Sequence, residues 1–395
     1  MIADKMKELV ESSSAIRAMF EEGKALAAIH GPENVYDFSL GNPNVPAPKA
    51  IDEAIRDILE EEDSVTLHGY MSNTGFEDVR ATIAEFLNEK YGTQFDQNNI
   101  VMTVGAAGGL NVILKTLLNP GEEVVVFAPF FGEYRSYVAN FDGKLVVVPP
   151  NTETFQPNLA EFEKLLTPKT KAVIVNSPNN PTGVIYSEET ILALAEILRK
   201  KQKEFGTDIY LISDEPYREL VYTDAQVPYL TKYYENTIVG YSFSKSLSLP
   251  GERIGYLVIP SQASDYEQMF EATGVATRVL GFVNAPGLQQ KAVARCLKEQ
   301  TDISYYARNR ETLYNGLKEL GFSCILPEGA FYLFMKSPVP DEKAFCEAAK
   351  KYNLLIVPGS SFGCPGFVRI AYCISYETII GSLPKFAELA KEYFK

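Results

Sequence analysis

Histidine is nearly absent from this 395-residue sequence, which contains only His30 and His68. That scarcity excludes a His-rich metal site, so no metal is expected. A conventional Ser-His-Asp triad survives only if one of these two residues serves it. Cysteine is also scarce. Cys296, Cys324, Cys346, Cys364 and Cys373 are odd in number, form no C-x-x-C pair and all lie in the last quarter of the chain. They read as reduced thiols packed in cores, which points to a cytoplasmic protein. No uninterrupted apolar stretch reaches the roughly 18 residues that a membrane-spanning helix needs. The first residues, "MIADKMKELVESSSAIRAMF", lack an apolar h-region and carry acids, so no secretory signal is expected. A basic stripe for nucleic acid is missing too, and the net charge of −14 serves solubility.

What is present is an ordinary globular composition, 46% hydrophobic and 22% charged, on a chain long enough for two domains. Its middle alternates two patterns. "NIVMTV" (99–104), "EEVVVFAP", "KLVVVPP" (144–150), "KAVIVNSP" (171–178), "DIYLISDEPY", "NTIVGYSFS" and "RIGYLVIP" read as short buried strands. Helical patterns separate several of them: 108–121, "NLAEFEKLL", and 187–206 with Ser187 as N-cap and Gly206 as stop. This order predicts a doubly wound α/β fold with a mainly parallel sheet. The last part differs, with strands expected over 325–336 and 366–373 among helices. It reads as a second, smaller α+β domain. The N-terminal segment, rich in helix formers to about Ala28, is expected to pack on it and make it discontinuous. The boundaries expected are 1–48, 49–289 and 290–395.

In open α/β sheets, ligands bind beyond the carboxyl ends of the strands. The unusual residues of this chain cluster there. After "NIVMTV" comes Gly105-Ala106-Ala107-Gly108-Gly109, opening a helix. Such a turn either lets an anion approach orphan amides or is purely structural. Phe130-Phe131 follow the next strand, as core or as cover for a flat ring. "NSPNNPTG" (176–183) is turn chemistry that also places amides at a strand end. Asp214 and Glu215 precede Tyr217 at another strand end, where acids are often merely solvated. "YSFSKSLSLPGERIG" (241–255) sets Lys245 among serines and brings Arg253 back through Pro250-Gly251. Anion turn, aromatic, amide, acid with tyrosine, lysine and arginine together match the needs of pyridoxal 5'-phosphate (PLP). Its aldehyde takes a lysine, its pyridine nitrogen a carboxylate, and its phosphate amides and an arginine.

"SPNNPTG", "SDEPY", "SFSKSLSLPGERIG" and "RIAY", in this order from about Asp37 to Ile370, resemble the class I PLP-dependent aminotransferases of fold type I, the aspartate aminotransferase superfamily. The resemblance implies a mainly parallel seven-stranded sheet in a large PLP-binding domain. It implies that Lys245 is the Schiff-base lysine and that Asp214 pairs with the pyridine nitrogen. Asn180 and Tyr217 would bond the ring oxygen. Ser242, Arg253 and the Ala106 and Ala107 amides would hold the phosphate, and Phe131 would stack on the ring, where family members often carry tryptophan or tyrosine. Tyr70, in "HGYMSNTG", resembles the tyrosine that reaches the neighbouring subunit's phosphate, which implies a homodimer with shared active sites. A packed core aromatic is the alternative. Gly41 resembles the glycine over the substrate carboxylate. Arg369 resembles the arginine that clamps it, since a planar guanidinium fork donates two parallel bonds. The alternative for Arg369 is a surface position on an edge strand.

The implied reaction is a ping-pong transfer of an amino group from an L-amino acid to a 2-oxo acid. Arg278, in "ATRVLGFVNAPG", lies near the place of the arginine that binds a distal carboxylate in the aspartate enzymes. Aspartate or glutamate, with 2-oxoglutarate as acceptor, is therefore the expected substrate pair. Arg278 is otherwise a surface arginine on a loop. The alternatives are an aromatic or broad-specificity aminotransferase, with Phe130, Phe131 and Phe282 walling an apolar pocket, or a PLP carbon–sulfur lyase on the same scaffold. A PLP-fold transcription regulator would need a basic DNA-binding module, and none is apparent. No nucleic-acid or membrane partner is expected.

Overall fold

The computed structural model describes residues 2–11 and 15–394. Its largest sheet has seven strands. In spatial order they are Ile100–Thr103, Gly255–Val258, Thr237–Ser242, Tyr210–Glu215, Thr170–Asn176, Glu123–Phe127 and Lys144–Val148. Gly255–Val258 runs antiparallel to both neighbours, and every other pairing is parallel. Runs such as "EVVVF" are buried at every position because helices cover both faces, which selects continuous β-branched residues over alternation. On one face the helix Glu188–Phe205 lays Ile191, Leu194, Ala195 and Leu198 against Val125, Val173 and Leu211. Ser187 caps it by accepting from the Thr190 N–H. Gly206 ends it in the left-handed region, as the sequence predicts.

The chain after about residue 300 builds a four-stranded antiparallel sheet in the order Val357–Pro358, Phe367–Ala371, Tyr332–Lys336 and Ser323–Cys324. The N-terminal segment joins it. Tyr36–Asp37 pairs in parallel with Leu354–Leu355, and Met19, from the helix Ala15–His30, packs with Leu355 and Val357. One expectation changes. The stretch 325–336 is not one strand, because Pro327 has no N–H to give a ladder and Ala330 turns to φ 58°. Instead Glu328 and Gly329 donate their N–H groups to the Gly183 carbonyl at 3.0 and 2.9 Å. The loop thereby ties the smaller sheet to the 176–183 turn, where the unusual residues gather.

Candidate active site

Lys245 owes its position to the end of the strand Thr237–Ser242. There the Ser242 hydroxyl accepts from the Ser244 N–H at 3.2 Å and starts the single helical turn Phe243–Ser246. The Lys245 amine donates to the Gly41 carbonyl at 2.5 Å. Burial lowers its ammonium to about 8, and the like charges of Arg253 and Arg369 push the same way, while Cys373 opposes them. The sequence expects this combination, since an amine that accepts a proton has to be neutral first.

Asp214 closes the strand Tyr210–Glu215 and is buried. Its Oδ2 accepts from the Tyr134 hydroxyl at 2.6 Å, whereas its Oδ1 is buried without a partner among the described residues. Burial raises the carboxyl to about 7; the Tyr134 bond works against that rise and Glu215 adds to it. An orphaned carboxylate oxygen in the interior calls for a donor, and the N–H of a pyridinium is such a donor. Glu215, on the opposite face of the strand, is not solvated either: it is buried and paired with Arg218.

Arg253 sits where an anion would be met. Its Nη1 donates to the Pro250 carbonyl at 2.9 Å and lies 3.5 Å from the Ser244 hydroxyl, and its Nη2 lies 3.4 Å from the Val104 carbonyl. The helix Gly105–Leu117 begins beside it, so Ala106 and Ala107 lie in the first turn with free amides. Gly105 has φ 75°, and a Cβ there would stand 2.8 Å from Arg253 Nη2. Guanidinium, orphan amides and a bare glycine suit a phosphate.

Arg369, on the strand Phe367–Ala371, is only 2% exposed, so the surface-arginine alternative fails. Its Nη1 donates to Asn180 Oδ1 at 3.1 Å and its Nη2 to the Ser39 carbonyl at 2.5 Å, while its Nε is buried without a partner among the described residues. The guanidinium carbon lies 4.5 Å from the Tyr332 ring centroid and 4.7 Å from that of Phe362. The N-terminal segment is thus held by site residues at successive carbonyls: Ser39 by Arg369, Leu40 by the Cys373 thiol at 3.7 Å, and Gly41 by Lys245.

The structure therefore draws Lys245, Asp214, Asn180, Tyr217, Ser242, Arg253, Arg369 and Gly41 into one region. Asn180 is fixed by its N–H to Asn176 Oδ1 at 2.7 Å, and Asn176 also donates to the Asp214 carbonyl at 2.9 Å. Phe131 is half-buried, edge-on to Tyr134. Phe130 is core, 2% exposed, with the Arg135 guanidinium carbon 4.7 Å from its ring centroid. Tyr70 is 92% exposed, so it is not a core aromatic. Arg278 is exposed as well and lies in the last turn of the helix Tyr266–Val279, not on a loop. Tyr134, Asn176, Tyr332 and Cys373 escape the sequence reading. Asn176 stands in the quoted turn motif and Tyr134 three residues after Phe131, but neither spacing says which way the side chain points.

The family described as aminotransferase class I and II matches residues 33–379. An aspartate aminotransferase from Thermotoga maritima is 33% identical over 378 residues, 93% of this chain and 95% of that protein. An amino transferase structure from Eubacterium rectale superposes with a TM-score of 0.97 at 48% identity, covering 100% of both chains. An aspartate aminotransferase from Thermus thermophilus, solved with maleate, gives a TM-score of 0.87 at 27% identity over 98% of this chain and 99% of that one. Orphaned acid, lysine and anion cradle fit PLP, and with these likenesses the chain belongs to the class I and II aminotransferases, PLP-dependent enzymes that exchange amino groups between amino acids and 2-oxo acids.

Proposed function

We propose that Lys245 carries the cofactor and that the enzyme moves the amino group of aspartate or glutamate to a 2-oxo acid such as 2-oxoglutarate. The observation that carries this reading is a buried amine, Lys245, whose ammonium burial lowers toward neutrality, in one region with a buried guanidinium, Arg369, whose Nε has no partner among the described residues. Arg369 binds the substrate α-carboxylate through its fork and Asn180 steadies that fork. Gly41 leaves room beside them. With the cofactor bound, the Lys245 Nζ would take the proton from the substrate Cα and, as the resulting ammonium, give it back within the same site. Asp214 would offer its Oδ1 to the ring nitrogen and keep a proton there, with Tyr134 fixing the other oxygen. Asn180 and Tyr217 would donate to the ring oxygen. Bound PLP supplies the electron sink for the pair left on Cα. Arg253, Ser242 and the amides of Ala106 and Ala107 would anchor the phosphate, and Phe131 would cover the ring.

Two copies of the chain complete the site in this reading. Tyr70 at 92% exposure is a large ring spent on solvent unless a second subunit covers it. Val65, Val275 and Val279 are exposed too, and Asn73 links the two segments by donating to the Val283 carbonyl at 2.6 Å. Arg278 lies on this face and would reach the partner's substrate, selecting a second carboxylate. The maleate in the Thermus thermophilus structure is a dicarboxylate, which supports that choice. An aromatic preference is the second reading, favoured by half-buried Phe282, whose ring would lie 3.9 Å from a Cβ at Gly108. The free cysteines fit a reducing compartment, and we place the enzyme in the cytoplasm.

A stopped-flow panel of twenty amino acids, following the cofactor absorbance in wild type and Arg278→Ala, tests the substrate. Aspartate and glutamate should react fastest in wild type and lose that lead in the variant. If they react no faster than alanine, the dicarboxylate reading fails. Mixing inactive Tyr70→Phe and Lys245→Ala proteins should restore activity in hybrid sites, and its absence would count against shared sites.

A further inference from the structure

Tyr332 has no role in the reading above, yet it touches three of its parts. It begins the strand Tyr332–Lys336, opposite Ala371, two residues from the register of Arg369 with Phe334. Side chains two apart on a strand share a face, so Tyr332 and Arg369 meet on one side of the sheet. The Tyr332 ring lies under the Arg369 guanidinium at 4.5 Å. Its hydroxyl is 2.8 Å from that of Tyr217, and the two rings meet edge to face. A Cβ on Gly41 would come within 1.9 Å of the same hydroxyl, so the backbone of Gly41 can sit where it does only because that residue has no side chain. Tyr332 is 3% exposed, which leaves its hydroxyl no bulk water to bond.

We propose that Tyr332 is a positioning residue that couples the substrate-carboxylate clamp, Arg369, to the donor of the cofactor ring oxygen, Tyr217. This rests on the assignment of Tyr217 to that oxygen. A hydroxyl that accepts a hydrogen bond becomes a better donor, so a bond from Tyr332 to the Tyr217 oxygen strengthens what Tyr217 gives to the ring. Burial raises both phenols above their ordinary value, so both keep their protons to donate. The ring of Tyr332 separately supports the guanidinium through its π-face. Hydroxyl and ring therefore serve different ends, and variants can divide them.

The test uses holoenzyme and two readouts. The first is the pH midpoint of the absorbance change of the lysine-bound cofactor. The second is the split between KM and kcat for aspartate. Tyr217→Phe should raise the midpoint, because a donor to the ring oxygen is lost. Tyr332→Phe should raise it by less and leave KM within about twofold, since the ring under Arg369 remains. The double variant should match Tyr217→Phe alone. Tyr332→Leu should in addition raise KM on the order of tenfold. If Tyr217→Phe moves the midpoint and Tyr332→Phe does not, the coupling is wrong. Equal shifts that add in the double variant mean that Tyr332 acts independently, which overturns it as well. If Tyr217→Phe leaves the midpoint unmoved, the ring-oxygen assignment itself fails, and the inference falls with it. Near-UV circular dichroism checks packing, and Tyr332→Phe carries the decision should Tyr332→Leu not fold.

Discussion

The orphaned oxygen of Asp214 makes the cofactor-free enzyme pay for a carboxylate that it buries. Replacing Asp214 with asparagine removes the ionisable group and leaves the Tyr134 hydroxyl an acceptor. The carboxyl titrates near 7 in the folded chain against an ordinary 3.8. Between about pH 4 and pH 7 the folded chain therefore binds a proton that the unfolded chain has already released. A raised acid lowers stability as pH rises through that window, and the loss stays complete above it. A difference of about three pH units at 1.36 kcal/mol each gives a penalty of about 4 kcal/mol at pH 8. For a chain of this size that corresponds to on the order of 5 °C in Tm. Thermal melts of cofactor-free wild type and Asp214→Asn at pH 4.5 and pH 8 measure it. The variant should melt higher than wild type at pH 8, with most of the gap closed at pH 4.5. Added PLP should stabilise wild type more than the variant, because only the carboxylate gains an ionic partner. Parallel pH dependence in the two proteins would refute the argument, since the buried carboxylate would then carry no unpaired charge.

Arg369→Lys keeps the charge but loses the planar fork, so KM for amino acids should rise at least tenfold in steady-state assays while thermal stability changes little. Gly105→Ala forces a side chain onto φ 75° and within 2.8 Å of Arg253 Nη2, and PLP titration of the cofactor-free protein should show weaker binding. Leu194→Ala empties a fully buried position between the helix Glu188–Phe205 and the sheet; it should cost about 2–5 kcal/mol in denaturant unfolding and leave kcat/KM unchanged.

The residues that the sequence makes legible are those at strand ends. Lys245, Asp214 and Asn180 each follow a buried β-branched run, Arg253 precedes one, and a doubly wound sheet turns that local signal into a common location. Helix 188–205 is legible for a similar reason, since cap, period and stop all agree. What stays hidden depends on how separate elements dock. Tyr134 reaches Asp214 because a short helix packs under the sheet, and nothing in "FFGEYRSY" reports the direction of its ring. Tyr332 belongs to the wholly apolar-looking run "AFYLFMK", where periodicity cannot say which face meets Arg369. The break of 325–336 into loop and strand follows from a long-range contact with Gly183, which local pattern does not encode. For Arg278 the alternative reading is a surface arginine on a loop, but the helix runs on to Val279 and carries it in its last turn.

Lys245, its ammonium lowered to about 8 by burial with help from Arg253 and Arg369, is the residue proposed to hold the cofactor. Reducing the holoenzyme with borohydride fixes the lysine–cofactor link, and peptide mapping by mass spectrometry then identifies the modified residue. The reduced cofactor should be found on Lys245 alone, within the peptide around "SFSKSLSLPGER", with no stable adduct in Lys245→Ala. A reduced cofactor found on any other lysine would contradict it.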